Sequence, residues 1–586
     1  MQNQIEVMQF REYEKLDHTV NRPFKKTFSD LLEERYYVIQ AIKRRAELIG
    51  ALGLSPHFGH VPKNVIFPSP ISEQLWQERR LLAEAWLVLR KNPKNHKIAH
   101  LLDHYLYAKN LFIARHVQSP WGITGLTEFR GQFKRAKLIN NHTTPRLQWL
   151  DHSRKVYFAA ESAHLRHIEF RIAPFDSPRE YASFFSNWST FASSDPFLLR
   201  RNISITFVIH FIRQPIASDE QAETPFHDLL ITLDRQSAAM HQFRQDYPHQ
   251  AKLLVGIDVA NLERTCPPHL FTPYLNLLRG MPVDFSCGPY MQHWCELKRI
   301  NRHLLTPTIP PLGITFHAGE DYYHIVDGLR TMDSALSGLK MGAGDRIGHG
   351  LAAGRSVKHF DLEYGDSLSL PAGDAMDNLI WLYDQLTHLP QNRETELRRL
   401  REEIEISSEH LYGEIFTPAQ FMRAFRYRHD VPKRFTQREM NDDDAKKIRF
   451  MELYDLTVRR RRNKIIRSPD IFRDLSPSIE AAQESIMRKI AKLGVVIEFN
   501  PSSNFITGGM ETLAYHPYFK YQKVLDGKLR ATINCDDPGT FGTRIENEFS
   551  CIFHALINQN HTREEALSVL NAMRKTANDY SFCAKC

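Results

Sequence analysis

Short apolar runs alternate with helical patterns over most of the chain. The runs are HLRHIEFRIAP (164–174), ISITFVIHFIR (203–213), KLLVGIDVA (252–260), ITFHAGE (314–320), DRIGHG (345–350), GVVIEFNPSSN (494–504) and LRATINCDDPG (529–539). Most are continuous rather than alternating, which marks strands buried on both faces, as in a parallel sheet. Ahead of them, apolar residues at spacings of three and four predict helices over 27–55, 72–92 and 96–118. The segment before the sixth run reads as a helix with Ser476 as its N-cap, Pro477 in its first turn and Gly494 at its stop. Strands alternating with helices predict an α/β fold, a (β/α)8 barrel of TIM type, whose active sites lie at the C-terminal ends of the strands. Seven strands are identifiable where such a barrel needs eight.

Between DRIGHG and GVVIEFN lie roughly 145 residues, far more than an ordinary βα connection needs. The pattern therefore predicts a helical N-terminal region over 1–120, the first part of the barrel over 121–354 and an inserted, mainly helical subdomain over 355–475. The last part of the barrel with C-terminal helices follows over 476–586. The insertion reads as an oligomer or partner surface.

Composition narrows the class. With 586 residues, 42% hydrophobic and 25% charged, the chain is globular rather than disordered. No apolar run approaches the roughly 18 residues that span a bilayer. MQNQIEVMQFREYEKL at the start lacks the basic-then-apolar pattern of a signal peptide. Seven scattered cysteines fit a reducing compartment, so a cytoplasmic location is expected, away from membranes. Cys583 and Cys586 form a C-x-x-C with no second pair nearby. The formal charge of +8 is partly local, in FRYRHDVPKRF (425–435) and RRRRNKIIR (459–467). These read either as a solvated face or as an attractor for phosphates on a nucleotide, a nucleic acid or an acidic partner.

The chemistry gathers where apolar runs end: His317, Glu320, His349, Asn500, Asn504, Asp536 and Asp537. His317 and Asp536 offer a nitrogen and a carboxylate oxygen, both good zinc donors. Glu320 and His349 form an acid and base pair. Asp537 would point away from Asp536 if the strand stays extended there, so the two would play different roles.

HAGE, RIGHG, NPSSN and CDDPG, in that order, resemble the adenosine and AMP deaminases of the metal-dependent hydrolase barrels. The tail TRIENEF…HTREEALSVLNAMRKTANDYSF is similar to their last helices, and YAKNLFI…GLTEFRGQF (107–133) and VGIDVAN (255–261) to earlier segments. The resemblance implies one Zn2+ per chain, with His317 and Asp536 as metal ligands. It implies that Glu320 protonates the adenine ring and that His349 takes the water proton. Asp537 would be substrate-binding, at the five-membered ring edge. Adenosine or an adenine nucleotide would become the inosine form. In size and layout the chain is more similar to the deaminase subunit of the RADAR anti-phage defence systems. That implies ATP or dATP as substrate, a homo-oligomer and an ATPase partner protein. An RNA adenosine deaminase is the other reading of the basic residues, with nucleic acid as partner. A different hydrolase on the same barrel, cleaving an amide or ester, is a third.

One family feature is missing. The first strand of these enzymes ends in H-x-H, two further zinc ligands, yet no two of the 28 histidines are separated by one residue. Three explanations stand: strand 1 lies upstream of Met1; other ligands substitute, from His57 and His60 or from His96, His100 and His104; or the protein is a degenerate scaffold that binds nucleotide without turnover.

Overall fold

A computed structural model describes residues 42–54, 70–116, 165, 167–194, 204–214, 224–300, 311–364, 368–390, 393–508, 516–522, 524–537 and 543–582. Chain contacts divide it into two units. One holds residues 1–123, 128–157 and 537–542; the other holds 124–127, 158–536 and 543–586. In the first, helices 42–51, Pro70–Lys91 and His96–His116 are described. Their apolar spacing closes a small core of Leu48, Ile49, Leu81, Ala85, Ile98 and Tyr105.

All seven expected strands are present in the second unit. They are β1 (His167–Ile172), β2 (Ser204–Ile212), β3 (Leu254–Ala260), β4 (Gly313–Ala318), β5 (Arg346–His349), β8 (Val496–Phe499) and β9 (Arg530–Ile533). They pair in parallel in the order β1-β2-β3-β4-β5-β8-β9. β3, β4, β5 and β8 are buried along their whole length, as strands of a parallel sheet covered on both faces are. The sheet is curled. Arg171 on β1 reaches Glu498 on β8 at 2.5 Å, and Arg346 on β5 reaches Glu169 on β1 at 2.5 Å. Among the described residues there is no eighth strand between β1 and β9, so the expected barrel is seen as seven of its strands.

The concave interior is layered. At its floor the ring of Phe582 lies against Gly256 and Gly313, where a Cβ would come within 2.5 and 2.2 Å of it. The Arg346 guanidinium sits 3.5 Å from the centre of that ring. Next comes a charged layer of Glu169, Arg171, Arg346, Glu498 and Asp258, each acid paired with an arginine. Such charges are tolerated inside a barrel only because they are paired. The strand ends lie beyond this layer.

Between β5 and β8 the chain runs through seven helices of the described residues, from Val357–Tyr364 to Leu456–Asn463. Thr417 and Thr436 each close a capping box. The segment is not wholly helical, because β6 (Ser369–Pro371) and β7 (Ile465–Arg467) form an antiparallel pair. The two basic stretches each send one arginine inward. Arg428 binds Asp377 with both nitrogens at 2.7 and 3.0 Å and also Glu452. Arg462 binds Asp377 at 3.1 Å and the Tyr412 hydroxyl at 2.7 Å. These two are therefore internal ion-pair partners rather than phosphate attractors.

Two details differ from the sequence reading. The helix before β8 is Ser476–Leu493, with Leu475 at its N-cap. Ser476 is its first residue, and its hydroxyl bonds Asp361 at 2.9 Å instead of capping. Gly494 does end the helix, in the left-handed conformation (φ 71°). Cys287 and Cys295, among the scattered cysteines that fitted a reducing compartment, are joined in a disulfide. No helix among the described residues is long and apolar enough to cross a membrane.

Candidate active site

His317 stands near the end of β4, with Nδ1 3.1 Å from Asp258 Oδ1. The other oxygen of Asp258 meets His210 Nδ1 at 2.9 Å and Arg171 at 3.1 Å. Asp258 and His210 are register partners on β3 and β2, so both face the interior. A carboxylate only accepts, so each imidazole carries a proton on the Nδ1 that meets it. Burial would raise Asp258, yet His317, Arg171 and His210 hold it well below the usual carboxylate range. Burial lowers His317, with Asp258 pulling the other way, which favours the neutral ring.

The chain then turns at Gly319, φ +83°, where a Cβ would lie 2.8 Å from Met332 Sδ. Glycine is required by both facts. The N–H groups of Gly319 and Glu320 donate to the buried carboxylate of Glu263, at 2.7 and 3.3 Å. Glu263 therefore fixes the turn that delivers Glu320. Burial pushes Glu263 up to about 7, with Glu320 and Asp321 adding and Arg213 opposing. Glu320 itself is 8% exposed; its carboxylate touches the Thr507 hydroxyl and lies 3.3 Å from His349 Nδ1. Burial raises Glu320 above the ordinary range, although His349 works against it.

His349 ends β5, is fully buried and has φ +66°. Asp536, after β9, has φ +54°. A left-handed backbone is costly for such residues, and it persists where surrounding structure demands it, often at functional sites. His349 Nδ1 lies 2.7 Å from Asn504 Oδ1, and its Nε2 lies 3.8 Å from Asp536 Oδ2. Burial lowers His349, but Glu320, Asp536 and Asn504 prevail and raise it. Burial would raise Asp536, but His349 and His317 hold it down. The His317 and His349 rings are 5.0 Å apart.

The structure thus brings together His317, Glu320, His349, Asn500, Asn504 and Asp536. Asp537 follows, half-buried. Two proton-handling groups face each other beside a second carboxylate and a second imidazole, a set suited to acid–base chemistry on a bound ring. A metal is a separate matter. A catalytic zinc needs at least three protein donors. Among the described residues no group of three His, Cys, Asp or Glu is arranged to hold an ion. His317 and Asp536 are two donors and do not complete a site. His100 and His104 lie together on helix His96–His116, ring centres 3.9 Å apart, without a third donor grouped with them. His57, His60, Cys583 and Cys586 lie outside the described residues.

Sequence reasoning missed Asp258, His210, Glu263 and Thr507. A signal existed for the first two: a single charged or imidazole residue inside an otherwise apolar strand, near its C-terminal end. Glu263 and Thr507 carried none.

Residues 478–583 match the family model described as adenosine deaminase. The adenine deaminase of Rhizobium meliloti (strain 1021) is 30% identical over 83 residues, 14% of this chain and 25% of that protein. The adenosine deaminase of Plasmodium gallinaceum is 27% identical over 86 residues, 15% of this chain and 22% of that one. The chain thus spans about a quarter of the length of the curated relatives it matches. The crystal structure of adenine deaminase from Arthrobacter aurescens overlays with a TM-score of 0.31 and 11% identity, over 92% of this chain and 96% of that one. The likeness to the adenosine and adenine deaminases holds over the last part of the chain, which carries Asn500, Asn504 and Asp536.

Proposed function

We propose that the protein is a hydrolase that deaminates an adenine ring, on adenosine or an adenine nucleotide, to the inosine form. The observation that carries this reading is the meeting of Glu320, His349 and Asp536 at the ends of β4, β5 and β9 of one parallel sheet. Glu320, whose carboxyl burial raises above the ordinary range, gives a proton to a ring nitrogen and so opens the neighbouring carbon to water. His349 orients that water and takes its proton, with Asn504 fixing the ring. Asp537 accepts a hydrogen bond from the five-membered ring edge. The amino group leaves as ammonia.

His317 and Asp536 are the donors proposed for a Zn2+. Two donors fall short of a closed site, so no step is drawn through the metal. About one zinc per chain, by elemental analysis of untagged protein, would mean that further donors complete it. The donor set is incomplete among the described residues, and a second reading follows from that, a deaminase-like scaffold that binds nucleotide without turnover. The finer reading rests on size and layout: ATP or dATP as substrate, and a cytoplasmic homo-oligomer acting with an ATPase partner in anti-phage defence. A substrate profile over adenosine, AMP, ATP and dATP, with native mass, tests it.

The decisive experiment is ammonia release by wild type and by Glu320→Ala. Loss of a general acid should lower turnover by about 10²–10⁴-fold. Undiminished release in the variant would refute the role of Glu320; none from wild type on any adenine compound would favour the scaffold.

A further inference from the structure

After β8 the chain enters the short helix Pro501–Ile506, with Thr507 at its C-cap. Ser503 and Thr507 are four residues apart, so their hydroxyls lie on one face, one turn from each other. Both are buried, at 2% and 8% exposure. Thr507 Oγ1 touches Glu320 Oε1; it also lies 2.7 Å from the Ser503 carbonyl and 3.2 Å from Ser503 Oγ. The result is a row, Glu320–Thr507–Ser503, that ties the turn after β4 to the short helix after β8.

We propose that Thr507 is a positioning residue that holds Glu320 in line through both of its protonation states, with Ser503 anchoring Thr507. This rests on the deamination reading above and deepens it. A hydroxyl has one proton and two lone pairs. When Glu320 is ionised, Thr507 donates to it. When Glu320 is protonated, Glu320 donates to the Thr507 oxygen and the threonine proton turns to the Ser503 carbonyl, 2.7 Å away. Glu320 keeps a partner either way. A general acid that gives up and regains its proton in each cycle needs such a partner, because a buried carboxyl left unpaired is costly in either state. A carboxylate in place of Thr507 would only accept, and so would serve the protonated state alone. Valine has the shape of threonine and serves neither state.

The test compares Thr507→Val with Thr507→Ser. Removing a side chain that orients a reacting group lowers activity by about 10- to 100-fold. We expect Thr507→Val to lose that much in kcat for ammonia release while KM changes less than about threefold, because the bridge does not touch substrate. Thr507→Ser, which keeps the hydroxyl, should restore most of kcat. Thermal melting of each variant separates this from misfolding, since loss of fold lowers both variants' signals together. A Thr507→Val enzyme with wild-type kcat, or a loss confined to KM, or a well-folded serine variant that fails to rescue, would overturn the proposal. A substrate-free measurement separates failure of the bridge from failure of the deamination reading. The carboxyl band of Glu320, identified in difference infrared spectra by its loss in Glu320→Gln, should shift in Thr507→Val and stay in place in Thr507→Ser. If wild type releases no ammonia, the deamination reading falls, and this band still decides the bridge. An unmoved band in Thr507→Val overturns it.

Discussion

Phe582 gives a severe test of the barrel's construction. Its ring is 1% exposed and fills the space that Gly256 and Gly313 leave open, beneath the guanidinium of Arg346. Its N–H donates to Glu169 at 2.8 Å, tying the chain's last described turn to β1. Phe582→Ala removes the ring and leaves a cavity, a change that costs about 3–5 kcal/mol. The lost cation–π contact with the nearly buried Arg346 adds about 1–2 kcal/mol. The sum, about 4–7 kcal/mol, is a large part of the roughly 5–15 kcal/mol that holds a typical domain. Urea unfolding followed by tryptophan fluorescence reads it directly. Gly313→Ala makes the argument specific, because the new Cβ would stand 2.2 Å from the ring of Phe582. Overpacking of this kind costs about 1–3 kcal/mol. In the Phe582→Ala background the ring is gone and that cost should vanish, giving a coupling of about 1–3 kcal/mol between residues 269 positions apart. Strictly additive costs, or a Phe582→Ala penalty under about 1 kcal/mol, would refute the reasoning.

Glu263 predicts a pH dependence of stability. Its folded pKa of about 7 exceeds the exposed value of 4.5, so the fold binds the proton more tightly than the unfolded chain does. Its stabilising contribution is whole below pH 4.5, falls as pH rises to about 7 and is flat above. The loss is about 3 kcal/mol across that window. Glu263→Gln should flatten this slope in urea midpoints taken between about pH 5 and about pH 8, and a constant offset from wild type would count against it. Asp258→Asn offers one acceptor oxygen where two imidazoles and Arg171 now share a carboxylate. Activity should fall by about 10- to 100-fold, read as ammonia release, and full activity in a well-folded variant would sink the orienting role given to Asp258.

What was legible in the sequence follows from what each signal reports. Strands buried on both faces are largely apolar along their length, so most of the seven stood out as continuous runs. Parallel strands joined by helices tend to sit beside their sequence neighbours, so the order of the sheet followed as well. Residues at strand ends stood out because polarity begins there, and His317, Glu320, His349, Asn500, Asn504 and Asp536 were all found that way. The interior was hidden because it is made of residues that break the apolar pattern singly. Asp258 in LVGIDVA and His210 in SITFVIHFI each look like an interruption until the sheet curls and turns them toward one another. Local patterns also miss partners that are distant in sequence. A glycine within a strand marks a close approach, but nothing near Gly313 names Phe582. The arginine runs mislead for a related reason. Four consecutive arginines on a helix point in four directions, so one of them, Arg462, must face the core. It was Asp377, eighty-five residues away, that decided whether that charge would be buried. Asp258, Phe582 and Asp377 share this property: each is polar or aromatic in a way that local context reads as surface or end, and each becomes structural only through a partner that the fold supplies. A residue of that kind, placed next to a strand end, is where a reading of sequence should look first for the part of a site it has missed.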